Sequence, residues 1–160
     1  MKAAGRVPPV LDGRGLRLGL AASRFNDHVT LRLLEGARRA LTGCGVADGD
    51  VVDVWVPGAF ELPLAARALA ASGLVDAVVC VGCVIRGDTA HFEHVATQCA
   101  SGIQRVGLDT VVPVMFGVLT VDTLEQALER SEPAGGHNVG GEAALGAVEM
   151  ARMVHQLRPR

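Results

Sequence analysis

The sequence is poor in aromatic and lysine side chains. Its 160 residues include one Trp, four Phe and no Tyr, and Lys2 is the only lysine. Proteins that bind single-stranded nucleic acids usually stack bases on several aromatic rings. The formal net charge is −2, so no basic surface is expected to attract phosphate backbones. Nucleic acid is therefore not expected as a partner.

Long apolar runs are also missing. The longest ones have the length of a strand, and the first residues contain no stretch of signal-peptide length. We therefore expect no membrane partner and a cytoplasmic location. Four cysteines in a chain of this kind are typical of reduced thiols rather than of a disulfide framework.

Small apolar residues take the place of the aromatics. Hydrophobic residues make up 49% of the chain and charged residues 20%, which is typical of a folded domain rather than a disordered one. The length predicts a single domain over residues 16–160. Residues 1–15, with Pro8 and Pro9, predict an extension without regular structure, which is either mobile or attached elsewhere, for example to a neighbouring subunit.

Strand-like and helix-like segments alternate along the chain. Strands are predicted at 16–22, 51–56, 77–84 and 111–118. Helices are predicted after each strand, with the first burying Val29, Leu33, Ala37 and Leu41, and with later ones at 62–72, 92–106, 123–130 and 142–157. Residues 131–141 are predicted to form a glycine-rich loop. This alternation indicates an α/β fold, a three-layer αβα sandwich with a mostly parallel, flavodoxin-like four-stranded sheet.

Ligands of such sheets bind beyond the carboxyl ends of the strands. Phe25 and Phe60 follow the first two predicted strands, and Phe116 falls near the end of the fourth. A single Phe there is usually a lid on the core, but three of them beside polar groups are typical of a slot for a small planar ligand.

Polar residues follow the third predicted strand. His91 stands at a predicted helix start, where an imidazole suits proton transfer near neutral pH, although such a residue is often only solvated. The turn 86–89 offers backbone amides to an anion at that helix start, or forms a plain connecting loop.

Several other motifs do not support a function. Cys80 and Cys83 lie within one predicted strand and point to opposite faces, so they are expected in the core. His91 and His94 lack a third ligand at metal-binding spacing. The dinucleotide, P-loop and hydrolase-elbow patterns are absent. A metal site is therefore not expected, and dinucleotide binding is disfavoured.

Three segments, Arg-Phe-Asn at 24–26, Val-Pro-Gly-Ala-Phe-Glu-Leu-Pro at 56–63 and Val-Ile-Arg-Gly-Asp-Thr-Ala-His-Phe at 84–92, together resemble the 6,7-dimethyl-8-ribityllumazine synthase family. Segments 113–120, 125–130 and 142–144 extend the resemblance, which covers about residues 16–155. It implies a transferase that condenses 5-amino-6-(D-ribitylamino)uracil with 3,4-dihydroxy-2-butanone 4-phosphate, in the penultimate step of riboflavin biosynthesis, without metal or organic cofactor. It also implies a homo-oligomer with active sites between subunits, and we favour a pentamer over a sixty-subunit capsid.

The resemblance also assigns roles to residues. His91 would transfer protons. The substrate-binding residues for the pyrimidine and ribityl groups would be Phe25, Asn26, Ala59, Phe60, Glu61, Cys83, Val84, Ile85 and Phe116. Phosphate would lie near Asp88, Thr89 and Arg130. Phe116 and Arg130 would come from the adjacent subunit.

One position departs from the family pattern. Val139 stands where the family usually has a lysine in a Gly-Asn-Lys-Gly turn. This departure leaves open a catalytically weakened paralogue that binds lumazine or flavin. The sheet pattern alone would also allow a monomeric signalling or scaffold domain.

Overall fold

The computed structural model describes residues 7–158 and contains one parallel four-stranded sheet. The strands are β1 (Leu18–Ser23), β2 (Val51–Val56), β3 (Ala77–Ile85) and β4 (Val114–Val121), in the spatial order β2-β1-β3-β4. Strands β1 and β3 occupy the centre, and they are the two strands that are buried along almost their whole length. Continuous apolar sequence, as in β3, is what burial on both faces of a sheet requires.

Five helices cover the sheet. They are α1 (Asp27–Gly43), α2 (Leu62–Ala71), α3 (His91–Thr110), α4 (Leu124–Glu129) and α5 (Val139–Leu157), with short 3₁₀ turns at Asp48–Asp50 and Ala59–Glu61. Residues of α1 and α5 share one buried cluster with one face of the sheet, and residues of α2 and α3 share another with the opposite face. The predicted three-layer α/β sandwich is confirmed.

The predicted buried face of α1 is confirmed as well. Val29, Leu33, Ala37 and Leu41 are all at most 1% exposed. They recur at helical spacing, so one side of the helix packs on the sheet while the other meets solvent.

The start of α5 differs from the prediction. The sequence predicts residues 139–141 in the glycine-rich loop, but α5 begins at Val139. The Asn138 side chain caps this helix by accepting a hydrogen bond from the Gly141 amide at 3.0 Å. Gly140 is required because a Cβ there would overlap the carbonyl oxygen of Leu33 in α1. These glycines therefore permit close helix packing rather than a flexible loop.

The prediction for the fourth strand, at 111–118, was wrong by three residues. Helix α3 continues to Thr110, and Val111 follows it in a left-handed conformation with φ 55°. The strand begins only after Pro113, and its pairing with β3 continues to Ile85 opposite Val121. Phe116 consequently occupies the third position of β4, opposite Cys80, and not the end of the strand.

The segment before β1 is anchored on the domain. Residues 7–15 contain no helix or strand, and residues 1–6 of the predicted extension lie outside the described residues. The Arg152 guanidinium in α5 donates hydrogen bonds to the carbonyls of Asp12 (2.7 Å) and Arg14 (2.6 Å). The Gly13 amide donates to the Cys44 carbonyl at 2.8 Å. Residues 12–14 are thus attached to their own chain.

The cysteines are all unpaired. Cys80 packs with the α2 and α3 side of the sheet and Cys83 with the α1 and α5 side, as expected for two residues three apart in a strand. Within residues 7–158, none of the helices has the length and apolar character needed to cross a membrane.

Candidate active site

A cavity of about 760 Å³ opens at the carboxyl ends of β1, β2 and β3. This is the edge of the sheet at which open α/β proteins bind their ligands, and the volume suits a small molecule. Its lining residues are Phe25, Pro57, Gly58, Ala59, Phe60, Glu61, Cys83, Val84, Ile85, Gly87, Thr89, His91, Phe92, His94 and Val95.

Two phenylalanines line this cavity while remaining exposed. The Phe25 residue is 72% exposed and Phe60 is 58% exposed. Backbone hydrogen bonds fix the turn that carries Phe25, since its amide donates to the Pro57 carbonyl at 3.0 Å. Phe60 lies in the 3₁₀ turn just before α2, which begins at Leu62 and has Pro63 in its first turn. Both rings thus offer apolar surface to a ligand instead of filling the core.

Asn26 lies beneath this surface rather than in the cavity wall. It has a left-handed backbone conformation, with φ 60°, at the start of α1. Its side-chain Nδ2 donates a hydrogen bond to the Cys83 carbonyl at 3.0 Å. The side chain is therefore engaged in connecting the ends of β1 and β3, and Asn26 is not among the residues that line the cavity.

Glu61 supplies a carboxylate to the cavity. Its Oε2 atom accepts a hydrogen bond from the Gly58 amide at 3.0 Å, which closes the turn Ala59–Glu61. Its other oxygen has no hydrogen bond to residues 7–158. A carboxylate held by one oxygen in this way is suited to accept hydrogen bonds from hydroxyl groups with the other.

The end of β3 contributes to the lining with Cys83, Val84 and Ile85. Burial raises the pKa of the Cys83 thiol to about 11, so this thiol is neutral at physiological pH. A neutral, buried thiol is a poor nucleophile, and the structure therefore favours a packing role for the Cys83 side chain.

The first turn of α3 brings two imidazoles to the cavity. Helix α3 begins at His91, as predicted, and the Thr89 side-chain oxygen accepts a hydrogen bond from the His91 amide at 3.4 Å. His94 lines the cavity one turn further on. Sequence motifs indicate His94 only as a candidate metal ligand, although its spacing from His91 places both on one helix face. No cluster of three potential metal ligands occurs among residues 7–158.

Besides Asn26, three predicted site residues are not among those that line the cavity of their own chain: Asp88, Phe116 and Arg130. Arg130 directly follows α4, and its guanidinium donates a hydrogen bond to the Gln126 carbonyl at 2.9 Å. Phe116 is 40% exposed on the edge strand β4. In the described part of the chain, no lysine or arginine lines the cavity. The cavity thus has aromatic walls, a carboxylate and two imidazoles, but no permanent cation.

A doubly wound α/β sandwich with such a cavity at its strand ends belongs to the class of small-molecule-binding proteins built on flavodoxin-like sheets. Comparisons with known proteins agree with this class. The model of the family described as 6,7-dimethyl-8-ribityllumazine synthase matches residues 15–155. A curated protein of that name from Syntrophus aciditrophicus (strain SB) is 49% identical over 155 residues, which cover 94% of this chain and 100% of the relative. The chain belongs to the 6,7-dimethyl-8-ribityllumazine synthase family.

Proposed function

We propose that the protein is a transferase that condenses 5-amino-6-(D-ribitylamino)uracil with 3,4-dihydroxy-2-butanone 4-phosphate to 6,7-dimethyl-8-ribityllumazine, releasing phosphate and water. This is the penultimate step of riboflavin biosynthesis. The observation that carries the proposal is the meeting of Phe25, Phe60, Glu61 and His91, from three separate segments, around one cavity. The family membership of the chain supplies the identity of the substrates.

The cavity walls suit the pyrimidine substrate. The exposed Phe25 ring would stack on the flat uracil ring, an arrangement that aromatic groups favour. The turn that carries Ala59, Phe60 and Glu61 would bind the ribityl chain, with the Glu61 carboxylate accepting hydrogen bonds from its hydroxyls. Backbone groups at Cys83, Val84 and Ile85 would contact the polar edge of the uracil. Two substrates oriented in this way gain much of their rate from proximity.

His91 is proposed to move the protons of the reaction. An amine of the pyrimidine attacks the ketone to give an imine, phosphate leaves, and the second nitrogen closes the ring. Each step adds or removes a proton, and an imidazole does both near neutral pH. The position of His91 in the cavity lining, on the first turn of α3, supports this role. The reaction as proposed uses no metal or organic cofactor.

The phosphate group of the second substrate is proposed to lie at the loop that precedes α3, near Asp88 and Thr89. Backbone amides at a helix start attract anions, but among residues 7–158 no lysine or arginine lines this cavity. We propose that Arg130 of the partner subunit supplies the cation and that Phe116 of the partner subunit completes the wall. An arginine fork matches phosphate oxygens well.

The proposal therefore includes a homo-oligomer with active sites at subunit interfaces. The exposure of Phe116 on the edge strand β4 supports such an interface, because an open strand edge with an exposed ring favours contact with another chain. A closed ring with head-to-tail contacts gives every subunit the same site, and we favour a pentamer. The four unpaired cysteines support a cytoplasmic location.

The proposed function is tested by incubating the purified protein with both substrates and following the absorbance of the lumazine product together with free phosphate. The expected result is that product and phosphate appear in equal amounts, and that omission of the pyrimidine substrate abolishes product. Absence of product, while a family enzyme is active in the same mixture, would contradict the proposal.

A further inference from the structure

Arg86 makes an unusual set of contacts at the mouth of the cavity. It follows β3 directly, and its Nε donates a hydrogen bond to the Asp122 carboxylate at 2.7 Å, just beyond β4. Its Nη1 donates to the Glu93 carboxylate in the first turn of α3. The guanidinium carbon also lies 4.4 Å from the centre of the Phe92 ring. One side chain thus connects the ends of two strands with the start of a helix.

These contacts enclose the loop proposed to hold phosphate. Residues 87–90 connect Arg86 to α3, and Gly87, Thr89 and His91 line the cavity. The Arg86 backbone is held as well, since its amide donates to the Val121 carbonyl at 2.9 Å. Because the loop is fixed at both ends by the same residue, the position of its amides and of His91 depends on the Arg86 contacts.

The positive charge of Arg86 is already balanced by carboxylates of its own chain. Its hydrogen bond to Glu93 lowers the pKa of that carboxyl below its usual range, and the hydrogen bonds to Asp122 and Glu93 raise the pKa of Arg86 itself. Two carboxylates and the face of an aromatic ring contact the guanidinium. The planar, forked guanidinium of arginine can make these contacts at the same time, whereas the ammonium group of lysine cannot.

We propose that Arg86 is a positioning residue for the reaction, which holds the phosphate loop and His91 in place by binding Asp122, Glu93 and Phe92, and that it does not bind the phosphate itself. This inference rests on the proposed function, because it concerns the same cavity. It separates the roles of two arginines: Arg86 orients the loop, whereas Arg130 of the partner subunit binds the anion.

Steady-state kinetics of Arg86→Gln, Arg86→Lys and Arg105→Gln test this role. Arg105 is a matched control, since it is an exposed arginine of α3 whose one ion-pair partner within residues 7–158 is Asp109, at 3.6 Å. We expect kcat to fall about tenfold or more in Arg86→Gln, because displaced catalytic groups lose their alignment. The kcat of Arg86→Lys should be nearly as low as that of Arg86→Gln, and the kcat of Arg105→Gln should equal that of the wild type. An unchanged kcat in Arg86→Gln, or full activity in Arg86→Lys, would overturn the proposal.

The Glu93→Gln variant distinguishes positioning from direct phosphate binding. If Arg86 positions the loop, Glu93→Gln removes one of the Arg86 contacts, so kcat falls, but by less than in Arg86→Gln. If Arg86 instead binds phosphate, the loss of a competing carboxylate frees the guanidinium, so kcat is kept and KM for the butanone phosphate falls. The second result would overturn the proposal. Should Arg86→Gln fail to fold, kcat is measured in Glu93→Gln and Asp122→Asn instead, because both carboxylates are exposed.

Hydrogen exchange tests the positioning role without any activity. The amides of residue 86 and of His94 flank the loop and donate hydrogen bonds to the Val121 and Ala90 carbonyls. They should be less protected from exchange in Arg86→Gln than in Arg105→Gln, while amides of the central strand β3 stay equally protected. Equal protection of these two amides in the two variants would overturn the inference. An inactive wild type would instead contradict the proposed function. Hydrogen exchange would then still show whether the Arg86 contacts hold the loop.

Discussion

The side-chain amide of Asn26 donates a hydrogen bond to the backbone carbonyl of Cys83 across 3.0 Å. The two residues are 57 positions apart in the chain, at the carboxyl ends of neighbouring strands. Asn26 directly follows Phe25, and Cys83 lines the cavity itself. This bond therefore fixes the distance between an aromatic wall of the cavity and the backbone expected to contact the uracil ring.

We expect Asn26→Gly to lower the free energy of unfolding by about 1–2 kcal/mol, because the hydrogen bond is lost while the left-handed backbone stays favourable. Asn26→Ala should cost about 1 kcal/mol more, since alanine is strained at this φ. Urea unfolding of the two variants measures both effects. Equal stability of Asn26→Gly and the wild type would show that the bond contributes nothing.

Gly140→Ala should lower the free energy of unfolding by at least about 3 kcal/mol, because the new Cβ would overlap the Leu33 carbonyl oxygen in the packed interface of α1 and α5. Gly43→Ala is the matched control, since a Cβ at the end of α1 meets no atom within 4 Å. That substitution should stabilise the protein by about 0.5–1 kcal/mol. Similar denaturation midpoints for the two variants would contradict the close helix packing.

Periodicity was sufficient to predict the layers, the central strand and the buried face of α1. It failed where tertiary contacts decide: α5 starts at Val139 because Asn138 and Gly140 meet α1, and the fourth strand starts late because α3 extends to Thr110. Local sequence contains no signal for such contacts.

For the candidate site, the sequence predicts which residues lie near the strand ends but not the hydrogen bonds between distant segments. Phe25, Phe60 and His91 stand in or at the end of the connections that follow β1, β2 and β3, so the strand-end rule located them. The bonds of Asn26 to Cys83 and of Arg86 to Asp122 join segments 57 and 36 residues apart, which no local pattern indicates.

Stability should fall at alkaline pH because of the buried thiols. Burial raises the pKa of Cys83 to about 11 and of Cys99 to about 12, from an ordinary 9.0, and it raises the pKa of Cys80 as well. Above pH 9 the unfolded chain releases these protons while the native protein keeps them, so the unfolding free energy decreases as pH rises. The full contribution is present below pH 9 and is lost towards pH 11 and 12.

The composition makes this effect measurable, since the chain has no tyrosine and a single lysine to titrate in the same range. Urea unfolding between pH 8 and 11 should show the decrease in the wild type and a smaller slope in Cys80→Ala/Cys99→Ala. Identical slopes would mean that other groups cause the alkaline loss.

Hybrid oligomers test whether active sites lie between subunits. His91→Ala and Arg130→Ala should each be nearly inactive alone. Coexpression of the two should restore activity, because about a quarter of the interfaces in a random ring then combine an intact His91 with the intact Arg130 of a partner subunit. Mixed oligomers that stay as inactive as the single variants would place both residues in the site of one chain.

The rate of lumazine formation by His91→Gln, with both substrates saturating, tests the central claim most directly. The claim is that the cavity at the ends of β1, β2 and β3 is the active site and that His91 transfers protons in it. The account predicts a kcat about 10²–10⁴ times lower than that of the wild type, with KM values for both substrates changed by less than about threefold. A His91→Gln protein with wild-type kcat would contradict it.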